Sequence, residues 1–292
     1  QAQALLKQNK RVLLVEQTPP KQQWLESVPL RVSAVNLFSE DYLRELGIWS
    51  FIDGSTRCFF EQLATWDNPN QKLIFSAEEI DKSHLGHLVR NEALQLAAYE
   101  AFAESQKNEN LVLTDAMVLD IENRAEGIGL TFNSGGAEWK AEASLLIAAD
   151  GANSQIRQLI GIGITGWDYQ QHCFSITVKT QFPTQSITWQ EFQPSGPKAF
   201  LPLEDGYACL IWYDHPTVIS SLMALSNEEI KRRVVDVFPP LPGDFEVIKH
   251  AAFPLTRRQA NDYFKNRVVL VGDAAHTINP LAGQGVNLGY KD

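Results

Sequence analysis

The sequence predicts an α/β protein in which a parallel-sheet domain is interrupted by a mainly antiparallel β-sheet domain. Three observations predict it. Apolar runs at Val12–Val15, Leu145–Ala149 and Val268–Val271 each stop at an acidic residue or a Gly-Asp pair: Glu16, Asp150-Gly151 and Gly272-Asp273. Continuous apolar runs of this length suit strands buried on both faces, and open α/β sheets bind ligands at the carboxyl ends of such strands. Between the second and third runs the character changes: from Phe174 to Tyr213 short strand-like segments follow one another, with turn residues between them.

Along the chain, Gln1–Gln8 reads as the tail of a helix and Arg11–Glu16 as a buried strand, broken by Thr18-Pro19-Pro20. Arg31–Val35 is a short extended piece. Ser39 suits an N-cap, with Tyr42, Leu43 and Leu46 on one helical face and Gly47 at the stop. Phe59–Trp66 and Lys72–Phe75 read as strands. Asn91 suits the cap of a helix whose apolar face carries Leu94, Ala97, Ala98 and Phe102. Leu111–Leu113, Met117–Ile121 and Gly129–Phe132 suggest a small β-meander. Strands are then expected at Phe174–Val178, Ile187–Phe192, Ala199–Pro202 and Ala208–Trp212, with the alternation at Thr188–Phe192 indicating a half-exposed sheet. One helix follows, opened by a capping box of Ser226 and Glu229 and carrying Ile230, Val234 and Val237. The chain returns to the first domain through Phe253–Arg258. The implied division is 1–165 and 253–292 for the interrupted domain and 166–252 for the inserted sheet. Both termini read as elements cut short, so a piece of a longer protein is expected.

Bulk properties narrow the function. The 292 residues carry a net charge of −10, which argues against nucleic acid as the main partner. The three cysteines form no metal signature and no disulfide framework, which suits a reducing compartment. No apolar run is long enough to span a bilayer, and no signal peptide is visible.

Several residues carry two readings. Glu16, ending a strand of a βαβ unit, suits ribose hydroxyls or simple solvation. Asp150 suits a helix cap or a ligand contact. Asp273 suits a hydroxyl chain or a cap of the turn at Ala274. Gly283-Gln284-Gly285 allows close backbone approach to a flat ligand, and a helix starting there would present free N–H groups to negative charge. His276 reads as structural rather than catalytic. His84 and His87 have a spacing a metal could use on a helix, but without a cysteine or acidic third ligand nearby in sequence no metal site is expected. Arg257-Arg258 suits a phosphate or the surface. Trp189, Phe200 and Trp212, with Phe192 and Tyr213, suit either a sheet core or the roof of an apolar substrate pocket.

Taken together, Glu16, Arg31-Val-Ser-Ala, Ala149-Asp-Gly-Ala-Asn-Ser-Gln, Phe253–Arg258 and Gly272-Asp273 through Asn287 resemble the FAD-dependent aromatic monooxygenases of the p-hydroxybenzoate hydroxylase type, and within them the ubiquinone-biosynthesis hydroxylases. Thr188-Trp-Gln-Glu-Phe and Gly196–Leu203 extend the likeness, which covers nearly the whole chain. The resemblance implies a Rossmann-like FAD-binding domain whose N-terminal glycine-rich loop lies outside this sequence, with residues 166–252 as the substrate domain. It implies FAD as cofactor, NAD(P)H as electron donor, and O₂ with a prenylated benzoquinol as substrates, the ring being hydroxylated through a flavin C4a-hydroperoxide. Glu16 would hold the adenosine ribose, Arg31 and Arg90 would sit beside FAD, Asp150 would lie in a motif shared by FAD and NAD(P)H contacts, Asp273 would bind the ribityl chain, Pro280 would pack near the flavin ring, and Gly283, Gly285, Val286 and Asn287 would touch its pyrimidine edge. The catalytic residue stays unassigned, because the motifs name no general base. A flavin-dependent reductase of a prenyl or quinone substrate, or a non-catalytic subunit of a quinone-biosynthesis complex, are the alternatives. A bacterial cytoplasmic enzyme is expected, with association to such a complex and to the periphery of the inner membrane compatible with a prenylated substrate.

Overall fold

The computed structural model describes residues 1–105, 111–280 and 283–292, so Leu281 and Ala282 of the glycine motif lie outside the described residues. The expected parallel strands form two short pairs. Leu13–Glu16 runs parallel to Leu111–Thr114, and Leu146–Ala148 runs parallel to Val268–Leu270, to whose other edge Phe264–Lys265 adds antiparallel. One apolar core unites the pairs, with Val15 and Leu113 packing in the same cluster as Ala148, Val268 and Leu270. The first strand is not buried on both faces, since Leu13 is 37% exposed. The meander is shifted: it comprises Ala116–Asn123, Ile128–Ser134 and Ala137–Ala143, whereas Leu111–Thr114 pairs with the first strand instead. Asp115, held at φ 52°, turns the chain between the two sheets.

A three-stranded antiparallel sheet, Val32–Asn36 beside Gly86–Arg90 beside Arg57–Phe60, carries the helices Leu37–Glu45 and Asn91–Glu104. Val35, Leu43, Trp49, Val89, Leu94 and Ala97 form their shared core. Both expected caps move toward the N-terminus, the first by three residues and the second by one. Asn36, not Ser39, caps the first helix by accepting the Ser39 N–H at 2.9 Å. Arg90 precedes the second helix, and Asn91 is its first residue. Asn36 wins because the preceding strand ends there, already extended, with its side chain over the first turn. The single strand expected over Phe59–Trp66 divides at Glu61: Arg57–Phe60 belongs to this small sheet and Gln62–Trp66 to the large one.

The large sheet has eight strands in the order His276–Thr277, Phe245–Ala260, Ile164–Thr180, Tyr207–Asp214, Lys198–Pro202, Ile187–Glu191, Gln62–Trp66 and Leu73–Ser76. All neighbours are antiparallel except Gln62–Trp66 with Ile187–Glu191. Side chains alternate between its faces. One face presents Phe174, Ile176, Phe200, Leu210 and Trp212 to two helices, Pro216–Met223 and Asn227–Val237, which bury Ile219, Leu222, Ile230 and Val234 against it. Trp189 packs on the same face, stacked on Phe200 with centroids 5.8 Å apart. The other face carries Cys173, Ser175, Thr177, Cys209, Ile211 and Tyr213. The capping box of Ser226 and Glu229 forms as expected. The helix before it was missed, although Pro216 at its first turn is a start signal. The half-exposed strand is also corrected: Thr188 and Glu191 are buried, and they bond to the Phe200 carbonyl at 2.8 Å and the Trp66 indole N–H at 3.0 Å.

Among the described residues, no helix is long and apolar enough to cross a membrane. Because Phe200 is fully enclosed between sheet and helices, Phe200→Ala should lower the unfolding free energy by about 3–5 kcal/mol. Chemical denaturation measures this, and a loss below about 1 kcal/mol would mean that Phe200 borders open space.

Candidate cofactor crevice

Two acidic strand tips lie side by side. Val271 N–H donates to the Ala148 carbonyl at 3.0 Å, so the strands Leu146–Ala148 and Val268–Leu270 release Asp150 and Gly272-Asp273 at the same end. The two carboxylates then differ. Asp150 is spent on its own turn: Oδ1 accepts from Ser154 Oγ at 2.5 Å and Oδ2 from Ile156 N at 3.0 Å, fixing the start of the helix Gln155–Leu159. Buried Arg157 binds this turn to the next, donating to the carbonyls of Ala152 at 3.1 Å and Ala274 at 2.8 Å. Asp273 is exposed and has no hydrogen-bond partner among the described residues. It is the carboxylate left open to an incoming hydroxyl.

The glycine-flanked corner meets these tips. Gly272 and Gly283 have φ of +58° and +61°, a region that L side chains rarely adopt. A Cβ on Gly283 would lie 3.1 Å from that of Ala34, and one on Gly289 would lie 3.4 Å from the Cα of Gly272. The helix Gly285–Gly289 is therefore pressed between the strand Val32–Asn36 and the turn at Gly272. Asn287, 1% exposed, locks this arrangement. Its Nδ2 donates to the Ala34 carbonyl at 2.7 Å and to that of Gly283 at 3.3 Å, while its Oδ1 accepts the Asn36 N–H at 3.1 Å. The Asn287 side chain is thus an internal clamp. Gly283, Gly285 and Val286 stay partly exposed beside it, and Pro280 accepts the Gly283 N–H at 2.9 Å.

The two arginines part company. Arg31 is exposed and lines a cavity of about 420 Å³ with Trp24, Asn91, Glu92 and Gln95. Asn91 is fixed there by Ser33 Oγ at 2.7 Å and by its own N–H on the Arg31 carbonyl at 3.1 Å. Arg90 instead donates to the carbonyls of Leu25, Trp24 and Ser27 at 2.9, 3.3 and 2.7 Å, and faces a separate cavity of about 190 Å³ with Arg57, Glu204 and Tyr207. Its guanidinium is a staple for the segment before Pro29. Glu16 sits at the end of the neighbouring parallel pair and accepts the Thr18 N–H at 2.9 Å; among the described residues no hydrogen bond joins it to the crevice.

The inserted sheet reaches the crevice by the face that sequence reasoning did not choose. Ser175 Oγ donates to the Leu30 carbonyl at 3.0 Å and Thr177 Oγ1 to that of Pro29, so the segment leading into Arg31 lies on the face bearing Cys173, Cys209 and Tyr213. Trp189, Phe200 and Trp212, expected in a substrate pocket, occupy the opposite, helix-covered face. The reason is parity: Ile211 and Tyr213 alternate with Leu210 and Trp212, and the helices claimed the aromatic set. Burial pushes the Cys209 thiol up to about 11 and the Cys173 thiol well above its ordinary value, so both stay protonated. His276, read from the sequence as structural, has its Nε2 2.9 Å from Asp292, which also accepts the Gly272 N–H at 2.6 Å. Arg257 stacks over Trp167 at 4.6 Å, and Arg258 reaches Asn153 at 3.3 Å.

Sequence reasoning also missed Lys198, which is wholly buried and donates to the carbonyls of Gly196 and Tyr213 at 3.1 and 3.2 Å. Burial lowers its pKa to about 8, partly countered by Asp214 and Glu191. No periodicity signals such a lysine.

An extended cofactor with a sugar-like chain fits these residues. Asp273 is exposed, Gly283 presents bare backbone, and among the described residues the buried Oδ1 of Asn279 and Oε2 of Glu92 have no partner. Comparison with known proteins identifies the family. Residues 114–292 match the family described as FAD binding domain. The chain is 39% identical over 283 residues to 3-demethoxyubiquinol 3-hydroxylase of Escherichia coli K12, a match covering 96% of this chain and 71% of that protein. It is 29% identical to the mitochondrial ubiquinone biosynthesis monooxygenase COQ6 of Rattus norvegicus, covering 97% of this chain and 68% of that one. Among solved structures, p-nitrophenol 4-monooxygenase PnpA of Pseudomonas putida DLL-E4 shares the fold with a TM-score of 0.77 at 19% identity, covering 99% of this chain and 73% of that one. PqsL of P. aeruginosa, in complex with 2-aminobenzoylacetate, gives a TM-score of 0.81 at 18% identity, covering 99% and 79%.

The clamp makes a prediction independent of any ligand. Asn287→Ala leaves the Asn36 N–H and the Ala34 carbonyl without partners, which should lower stability by about 2–4 kcal/mol. Thermal unfolding of the ligand-free protein checks it; an unchanged midpoint there would show that Asn287 acts only through a ligand.

Proposed function

We propose, from the premise that this chain belongs to the FAD-binding family of flavin-dependent monooxygenases, that it hydroxylates the ring of a prenylated benzoquinol in ubiquinone biosynthesis. One observation supports the reading: the helix Gly285–Gly289 packs both on the strand Val32–Asn36 and on the turn Gly272–Ala274, which carries the exposed carboxylate of Asp273. The relative from E. coli named above supports the substrate class.

Bound FAD would accept two electrons and activate O₂; the protein supplies binding, orientation and electrostatics. On this reading Asp273 accepts hydrogen bonds from the ribityl hydroxyls. Gly283, Gly285, Val286 and Pro280 would hold the ring system. Arg31, with Asn91 and Gln95, meets the phosphates, and Glu16 holds the adenosine ribose. Asp150 contributes by fixing the turn next to Asp273. Residues 1–165 and 253–292 form the cofactor side and 166–252 the substrate side. The face carrying Cys173, Ile211, Tyr213, Phe253 and Leu255 offers a largely apolar wall suited to a quinol ring, and exclusion of water there would limit wasteful loss of activated oxygen. NAD(P)H is the proposed donor. A prenylated substrate also favours work at a membrane surface or within a biosynthetic assembly.

The decisive assay supplies NAD(P)H, ¹⁸O₂ and a prenylated benzoquinol to the full-length protein. One labelled oxygen should enter the ring for each nicotinamide oxidised. Undiminished turnover without O₂ would instead identify a reductase. Asp273→Ala should weaken FAD binding about 10- to 100-fold, the loss of a charge-assisted hydrogen bond of about 1.5–3 kcal/mol. Titration followed by flavin fluorescence reads it, and wild-type affinity in the variant would remove Asp273 from the site.

A further inference from the structure

We propose that Glu40, His84 and His87 form a binding site for a divalent transition-metal ion of the zinc class, with three protein ligands and one position open to solvent. The site lies outside the cofactor crevice and does not rest on the flavin reading.

Glu40 sits in the helix Leu37–Glu45, His87 in the strand Gly86–Arg90, and His84 just before that strand. The Oε2 of Glu40 lies 2.9 Å from His84 Nε2 and 2.8 Å from His87 Nδ1, and the three donor atoms all fall within 4.8 Å of one another. The two rings meet nearly edge-on, 4.7 Å between centroids and 76° between planes, so their nitrogens converge on one point from two directions. Tetrahedral coordination with bonds of about 2.0–2.1 Å separates ligand atoms by about 3.3 Å. Relative to the carboxylate oxygen, each imidazole would withdraw by about 0.5 Å to reach that spacing. Two imidazoles and a carboxylate are a donor set that zinc and its neighbours favour.

The surroundings suit a ligand set. The other oxygen of Glu40 is held by Arg44 at 2.6 and 3.1 Å, which leaves Oε2 as a one-atom ligand in fixed orientation. His84 Nδ1 lies 2.9 Å from Ser83 Oγ, the kind of outer hydrogen bond that orients a metal-bound imidazole through its second nitrogen. On ligation each ring keeps one proton: at Nδ1 on His84, facing Ser83, and at Nε2 on His87. Trp49 and Phe59 wall His87, with centroids 5.1 and 6.4 Å away. Side-chain exposure rises from 4% at Glu40 through 12% at His87 to 20% at His84, which opens a path for the ion from the His84 side. Arg44 opposes the incoming charge, so binding should be reversible rather than permanent. The bound ion would tie the helix Leu37–Glu45 to the middle strand of the sheet whose neighbour, Val32–Asn36, borders the crevice.

The experiment titrates the full chain, freed of metal by chelation, with Co²⁺ and then Zn²⁺. The expected result is one equivalent of Co²⁺ with the intense visible bands of low-coordinate cobalt, displaced by Zn²⁺, together with a Zn²⁺-dependent rise in melting temperature. His84→Ala removes the most exposed ligand and should weaken binding at least tenfold while leaving the metal-free melting temperature close to that of wild type. Glu40→Gln, compared where it folds, should abolish the cobalt bands. Absence of the bands and of the melting shift in the wild type overturns the proposal, and so does binding unchanged in His84→Ala, which would place the ion elsewhere.

Discussion

A single carboxamide, that of Asn287, joins the beginning and the end of the chain. Its bonds reach Ala34 and Asn36, some 251–253 residues away in sequence, and its donor and acceptor ends satisfy a strand-edge carbonyl and a cap N–H at once. Everything at the crevice follows from this contact. It seats the helix Gly285–Gly289 against Val32–Asn36, which brings Gly283 so close to Ala34 that a side chain there would crowd it. It also lays that helix over Gly272, beside the open carboxylate of Asp273. A glycine-rich corner by itself is only a permissive backbone; the buried amide gives it a fixed place.

A second constraint acts on the inserted sheet. Two long strands, Ile164–Thr180 and Phe245–Ala260, carry side chains alternately to opposite faces, and the helices Pro216–Met223 and Asn227–Val237 cover one of them. The larger aromatics went under the helices, where burial is complete. The remaining face, with its thiols, Tyr213 and hydroxyls, is tied to Pro29 and Leu30 and so lies on the cofactor side. The division explains why the sheet can be both a stable core and one wall of a site. Each strand supplies both functions from adjacent positions.

Much of this was legible in the sequence. The three acidic strand ends, the capping box of Ser226 and Glu229, and the glycine motif reported local chemistry, and local chemistry survives into the fold. What the sequence hid was partnership. Asp150 and Asp273 look alike as strand tips, yet Ser154 and Ile156 consume the first and leave the second open. Arg31 and Arg90 both looked suited to a cofactor, yet three backbone carbonyls occupy Arg90. Glu40 is 44 residues from His84, so no spacing rule could join them. Trp189, Phe200 and Trp212 suit a core or a pocket equally by residue type, and the helices over their face decide for the core.

The central claim is that three separated segments enclose one flavin. Hydrogen–deuterium exchange of the full-length protein, with and without FAD, tests it most directly. Amides of 31–36, 272–276 and 283–287 should slow together when FAD is added, while those of the strands Ile187–Glu191 and Lys198–Pro202 stay unchanged. Failure of FAD to bind, or protection confined to other segments, would contradict the account.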